Sequence, residues 1–407
     1  TCLGNMFVPT ASDKMEDNNK QDTVTLARQI REQQGLWEVE VSYGGETDLN
    51  RQFNICTKNP GHLKFIPVDQ LSVNDLPPSY HDSDLVEWIR AMSDRTVRIS
   101  VTYVSEDRPE TYPESVKPYP CYKNRGNRRM VRVGTGCVSM VVKYPEDICK
   151  HLTTCDCEIC LECSIPKAQF AHIYINTATH VVFDKSEAEN TTCHLFFDKG
   201  AVPETCSGAV ELSGMSCEYS DIMIDRCLMK CVTYDLDLAT KLEGMVNNWM
   251  RLSSQLKNKY EKISGWILLK SAIWHKMFIL MSYLDLANRI EKMVSNWLFL
   301  SSHFKDRYFH GKRSLWSLLK FKPMLWERLV IIVSHPHGSS KKVSIGYYVD
   351  ENSEKSFSYT TSTCPGSSGA PVLVIRKSGA AWNFNRTHSA GDRELNYSYI
   401  HGLMTKI

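Results

Sequence analysis

Hydrophobic and polar positions change their period several times along this chain. Between Asp22 and Gln34, apolar Val24, Leu26, Ala27 and Ile30 share much of one side and Gly35 follows, which predicts a helix capped by Asp22. Trp37 to Tyr43 alternates and stops at Gly44-Gly45, which predicts a strand. Asp82 to Met92 returns to helical spacing. From Arg95 the chain turns to β. Thr96 to Val104 alternates for most of its length, and a proline-rich connection runs from Arg108-Pro109 to Pro118-Tyr119-Pro120. Arg129 to Val142 predicts two β runs joined at Gly134-Thr135-Gly136, where glycine suits a sharp bend. Ile173 to Asn176, Val330 to Ser334, Val343 to Gly346 and Val372 to Ile375 supply more short β runs.

One stretch repeats. Leu236 to Tyr260 recurs as Leu284 to Tyr308, with Leu-Asp-Leu-Ala, Met-Val, Asn-Trp and a final Tyr in register. Apolar residues fall every three to four positions, so the unit is helical. Two copies are too few for a solenoid, and a duplicated helical hairpin inserted over 240–328 is expected, with a surface open to a protein partner. Residues 1–20 are polar and expected to be disordered, and 21–94 to form a small α/β appendage of unassigned role. Within it, Leu76-Pro77-Pro78-Ser79-Tyr80 is either a rigid turn before a helix or a ligand for a groove that reads polyproline.

Composition narrows the classes. The chain has 407 residues and a net charge of +2, which gives no reason to expect nucleic-acid binding. Its most apolar stretch, Trp266 to Leu286, carries Lys270, His275 and Lys276 and predicts a buried helix rather than a membrane span. No signal-peptide pattern opens the sequence. The 15 cysteines are an odd number, which favours an intracellular setting, while the sequons at Asn190, Asn385 and Asn396 keep secretion as the alternative. Cys155, Cys157, Cys160 and Cys163 are spaced closely enough to turn onto one zinc ion, with Cys227 and Cys231 as a further pair, but disulfides would use the same residues. No other cofactor is expected.

Two short segments carry the chemistry. Gly366-Ser367-Ser368-Gly369-Ala370-Pro371 puts a serine on a glycine-bracketed turn before an apolar run, able to aim backbone N–H groups at a point beside the hydroxyl. Upstream, a β run leads into Thr177-Ala178-Thr179-His180. These segments resemble the trypsin-like serine proteases, which carry Thr-Ala-x-His at the end of a strand in their first barrel. The resemblance covers about residues 95–407. It implies a mainly β fold of two antiparallel barrels of chymotrypsin type, one over 95–239 and one over 329–407. It also implies a triad of His180, Asp235 and Ser368, in the chain order of trypsin. Asp235 is chosen because apolar residues follow it, with Asp237 as second choice. Gly366 and Ser368 would supply the oxyanion hole.

The resemblance extends to the substrate pocket. Its base would hold Ser362, so the acid that attracts Lys or Arg is absent. Thr363 and His388 match the pair with which glutamyl endopeptidases and picornavirus-type proteases bind a Glu or Gln side chain. Ser367 stands where secreted relatives have an aspartate that pairs with a new N-terminus, so activation by that route is not expected. His335 and His337, in the turn after Val330–Ser334, would be structural or would ligate a metal. The substrate implied is a polypeptide. The rival readings are an inactive protease-fold scaffold and a zinc-dependent interaction module.

Overall fold

The computed structural model describes residues 22–113, 116, 118–144, 169–262, 328–352, 356–375 and 383–399. The Cys155–Cys163 cluster and the second helical repeat lie outside them. The chain divides into two units, Thr1–Ser253 with Leu329–Val374 and Asn383–Ile407, and Ser254–Arg328 with Ile375–Trp382. Of the segment 254–328, the description covers residue 328 and residues 254–262, the last turns of a helix that begins at 236.

The first unit is mainly β. One sheet contains β1 (Glu40–Ser42), β3 (Thr96–Val101), β4 (Val131–Tyr144), β5 (Phe170–Thr177), β6 (Thr191–Leu195), β7 (Val210–Leu212), β8 (Met215–Asp221) and β9 (Arg226–Thr233). Its order is β7-β6-β3-β4-β5-β9-β8, with β1 added beside β4. The other contains β2 (Ile66–Pro67), β10 (Leu329–Ser334), β11 (Lys342–Asn352), β12 (Ser356–Tyr359), β13 (Pro371–Ile375), β14 (Asn383–Thr387), β15 (Ala390–Gly391) and β16 (Asn396–Tyr399). Its order is β14-β13-β10-β11-β12-β16-β15, with β2 beside β11. The sheets are antiparallel and curled, the two-barrel architecture of the chymotrypsin type.

Each sheet closes over its own apolar residues. The first packs Val97, Ile99, Ile173, Ile175, Val181 and Met229 around Ala239, Leu242 and Val246 from the helix that starts at 236. The second packs Val330, Ile332, Tyr359, Val372 and Val374. On β9 the alternation of half-buried and buried residues runs without a break, as expected of a strand with one face on a core.

The segment before Arg95 is built into both sheets, because β1 pairs with β4 and β2 with β11. Helix α1, Thr23–Gln33, forms where the apolar spacing predicts it, with Val24, Ala27 and Ile30 as its buried face, but the Asp22 side chain bonds the Thr25 hydroxyl and does not cap it. The strand expected over 37–43 is regular only at Glu40–Ser42. Its first residues leave the ladder for a different partner, described below. Gly45 opens a second helix, α2 (Gly45–Asn54), and α3 is Ser83–Arg95. Tyr80 is buried in the turn before α3, so the Pro-Pro-x-Tyr segment is a structural turn.

Gly134 and Gly136, where two β runs are expected to join, fall within one strand, β4, and allow close approach. A Cβ on Gly134 would stand 2.6 Å from Val181 and 3.2 Å from the carbonyl oxygen of Ser368. Thr135 between them donates its N–H to that carbonyl at 2.8 Å and its hydroxyl to the carbonyl of Gly366 at 2.8 Å. Thr135 on β4 thus fastens the serine turn of the second sheet to the first sheet through its backbone N–H and its hydroxyl.

Candidate active site

The turn Pro365–Gly369 is over-determined by its surroundings. Gly366 and Gly369 hold φ of 94° and 84°, a region that side chains rarely enter. A Cβ on Gly366 would lie 2.7 Å from the His335 carbonyl, and one on Gly369 would lie 2.2 Å from the Thr135 carbonyl. Ser367 is buried and pairs its hydroxyl with that of Ser334 at 3.1 Å, so no charged partner is built in at that position. Ser368 is also fully buried.

His180 sits on the turn after β5. Thr177 anchors that turn by donating its hydroxyl to the Thr135 carbonyl at 2.8 Å, and Thr179 donates to the Asp221 carbonyl at 2.9 Å. Beneath it, a short helix α4 (Lys185–Glu189) buries Glu187 between two guanidinium groups. Arg108 and Arg132 each approach its carboxylate to 2.6 Å, and Arg108 also donates to the His180 carbonyl at 3.1 Å. Burial opposes the charge on Glu187, but the two arginines hold its carboxyl below the usual range.

The carboxylate at His180 is Asp225, and this corrects the sequence assignment. Nδ1 of His180 lies 2.9 and 2.8 Å from the two Asp225 oxygens, and the His180 backbone N–H donates to Asp225 at 3.1 Å. Asp225 is buried in the hairpin between β8 and β9, with a left-handed φ of 49°. Burial opposes its ionisation, but His180 holds its carboxyl below the ordinary aspartate value. Asp235 is exposed and caps the helix from 236, accepting the Leu238 N–H at 2.8 Å, and Asp237 is exposed on that helix. Nε2 of His180 is buried and makes no hydrogen bond among the described residues.

The site contains a segment of its own chain. Glu38 points its carbonyl oxygen at the serine turn, where the Gly366 N–H donates at 3.2 Å and the Ser368 hydroxyl at 2.8 Å. The Leu36 carbonyl accepts the N–H of Gly391 at 2.9 Å, and Trp37 bridges antiparallel to Ala390. The Trp37 ring lies 4.9 Å from that of His180. Residues 36–38, tied to β15 by the single Trp37–Ala390 bridge, therefore pass beside the imidazole to the serine.

The Glu38 side chain enters a polar pocket. Thr363 donates its hydroxyl to the Glu38 carboxylate at 2.6 Å, and His388 Nε2 lies 2.6 Å from the same oxygen. Ser362 is buried but makes no contact to Glu38 among the described residues. Sequence reasoning missed Lys58, from the turn after α2, whose ammonium pairs with the Glu38 carboxylate and donates to Asn396 at 2.7 Å. The Asn396 sequon is buried in this pocket wall.

Charge in the pocket is well defined. Burial keeps His388 below its ordinary value, against the pull of the Glu38 carboxylate. Burial also raises the Tyr359 phenol well above its ordinary value, so its O–H is present to donate to His388 Nδ1 at 2.7 Å. That fixes the tautomer with Nε2–H facing Glu38. For Glu38 itself burial opposes ionisation, but Lys58 and His388 win and lower its carboxyl to about 2.

Beside the serine turn, Cys56, His62, His337 and Cys364 bring their donor atoms within 4.8 Å of one another. His335 is a structural residue, stacked on Phe197 and bonded through Nδ1 to the Ser339 carbonyl at 2.9 Å. The nine cysteines among the described residues are free thiols, and no described helix is long and apolar enough to cross a membrane.

No family model matches the chain. No curated protein matches it. Among solved structures, the serine protease of a human pathogenic astrovirus aligns at 14% identity and a TM-score of 0.26, over 76% of this chain and 90% of that one. A thermostable serine protease from an extremophilic microorganism aligns at 10% identity and a TM-score of 0.31, over 76% of this chain and 92% of that one.

Proposed function

We propose that the chain is a serine endopeptidase that cuts after glutamate. Ser368 attacks the scissile carbonyl, and His180 takes its proton and passes it to the leaving amine. Asp225 holds the imidazole in the Nδ1–H tautomer and stabilises the imidazolium. The Gly366 N–H stabilises the oxyanion. Lys58, Thr363 and His388 receive the glutamate side chain. Lys58 favours Glu over Gln, since a carboxylate adds charge pairing to a hydrogen bond that an amide oxygen also accepts, and an apolar side chain would leave the ammonium without its counter-charge and His388 Nε2 without its acceptor.

The observation that carries this reading is Glu38. Its carbonyl oxygen is held by Gly366 and Ser368 while its carboxylate fills the Thr363, His388 and Lys58 pocket. A peptide-library cleavage profile tests it. Cutting after Glu is expected to dominate, with Gln a distant second. Dominant cutting after Lys, Arg or large aromatic residues would contradict the pocket assignment.

A further inference from the structure

We propose that Cys56, His62, His337 and Cys364 bind a zinc ion that braces the serine turn. The Cys56 and Cys364 sulfurs lie 3.6 Å apart, and Cys364 Sγ lies 3.6 Å from His62 Nε2. Zinc bonds of about 2.3 Å to sulfur and about 2.0–2.1 Å to nitrogen put tetrahedral ligand atoms about 3.3–3.8 Å apart. Among the described residues the buried Nε2 of His337 has no partner at hydrogen-bond geometry, while its Nδ1 is bonded to the buried carboxylate of Glu40. A carboxylate behind a histidine is the usual support of a zinc ligand. His62 and His337 both hold left-handed backbone, with φ of 51° and 53°, a strain that persists where surroundings fix a site. The four residues come from three distant segments. Such an ion would join the turn after α2 and the turn after β10 to Cys364, four residues before Ser368.

Zinc content of protein purified with reductant and supplied zinc tests this. The Cys56→Ser/His62→Ala chain is expected to carry one zinc fewer than wild type. Replacing Cys155, Cys157, Cys160 and Cys163 together with serine is expected to leave that zinc in place. Should the double variant not fold, cobalt is added to the quadruple-serine chain, where a thiolate-to-cobalt charge-transfer band is expected. Unchanged zinc in a folded double variant, absence of that band, or a Cys56–Cys364 disulfide under reductant would overturn the proposal.

A second inference rests on the endopeptidase reading: Leu36–Glu38 is an internal plug that competes with substrate. It lies in substrate register, yet the chain beyond it is pinned. Val39, Glu40 and Val41 are buried, and β1 is locked to β4. A leaving amine held there stays beside the acyl group, so resealing competes with hydrolysis. Turnover of a Glu-containing peptide is expected to rise at least tenfold in Glu38→Ala. Equal or lower turnover in that variant, with both chains active, would overturn the plug and leave the endopeptidase standing. If both chains are inactive and neither takes a serine-directed fluorophosphonate, the endopeptidase reading fails and the plug with it.

Discussion

Asp225→Asn is expected to lower kcat by about 10⁴-fold, while Asp235→Asn leaves it within a factor of two. The difference follows from where each carboxylate stands. Asp225 is buried and holds His180 Nδ1 through both oxygens. An asparagine there offers an amide that can force the wrong tautomer. Asp235 is exposed and caps a helix, so its loss reads as about 1 kcal/mol of stability at most. Ser368→Ala and His180→Ala are expected to lose activity to at least the same degree as Asp225→Asn. Steady-state kinetics on a Glu-containing peptide, beside urea unfolding of each variant, separates the two effects. Normal turnover in Asp225→Asn would remove Asp225 from the mechanism.

Lys58→Met is expected to cut kcat/KM for Glu-containing peptides by about 10- to 100-fold, the worth of a charge-assisted hydrogen bond. The comparison belongs in the Glu38→Ala background, where the internal carboxylate does not compete. Matched Gln peptides are expected to change far less, and an equal loss on both would mean that Lys58 does not read charge. In the wild-type chain the same contacts have a pH signature. Glu38 is lowered to about 2 from an ordinary value of 4.5, which corresponds to about 3 kcal/mol. That stabilisation is full above the ordinary value and is lost as pH falls toward the lowered one. Glu38→Gln is therefore expected to be less stable than wild type at neutral pH, with the gap closing below about pH 4.5. A gap that widens on acidification would contradict the ion pair.

What the sequence reveals of this site depends on how local each signal is. His180, Ser368, Thr363 and His388 each sit in a short segment whose neighbours carry the pattern, which is why each could be singled out from the sequence. Asp225 has no such context, since Arg226 and Cys227 follow it rather than an apolar and a small residue. The pattern did hold a warning about Asp235. Apolar positions from Leu236 onward are spaced for a helix, and an aspartate before a helix is a cap. The alternating run from Cys227, opened by Asp225, was the better strand. At Gly134 and Gly136 glycine also marks close approach of other chain segments, which sequence alone does not distinguish from a bend. Trp37 and Glu38 continue an alternating run, and nothing in their order says that they leave the sheet for the serine. Lys58 and the four ligand candidates meet only through long-range folding.

The central claim is that Ser368 is activated by His180 and Asp225. Labelling of the Glu38→Ala chain by a fluorophosphonate, mapped by mass spectrometry, tests it most directly. The account predicts one adduct, on Ser368, lost in His180→Ala, much slowed in Asp225→Asn and unchanged in Asp235→Asn. A folded chain that takes no label, or takes it on another serine, would contradict it.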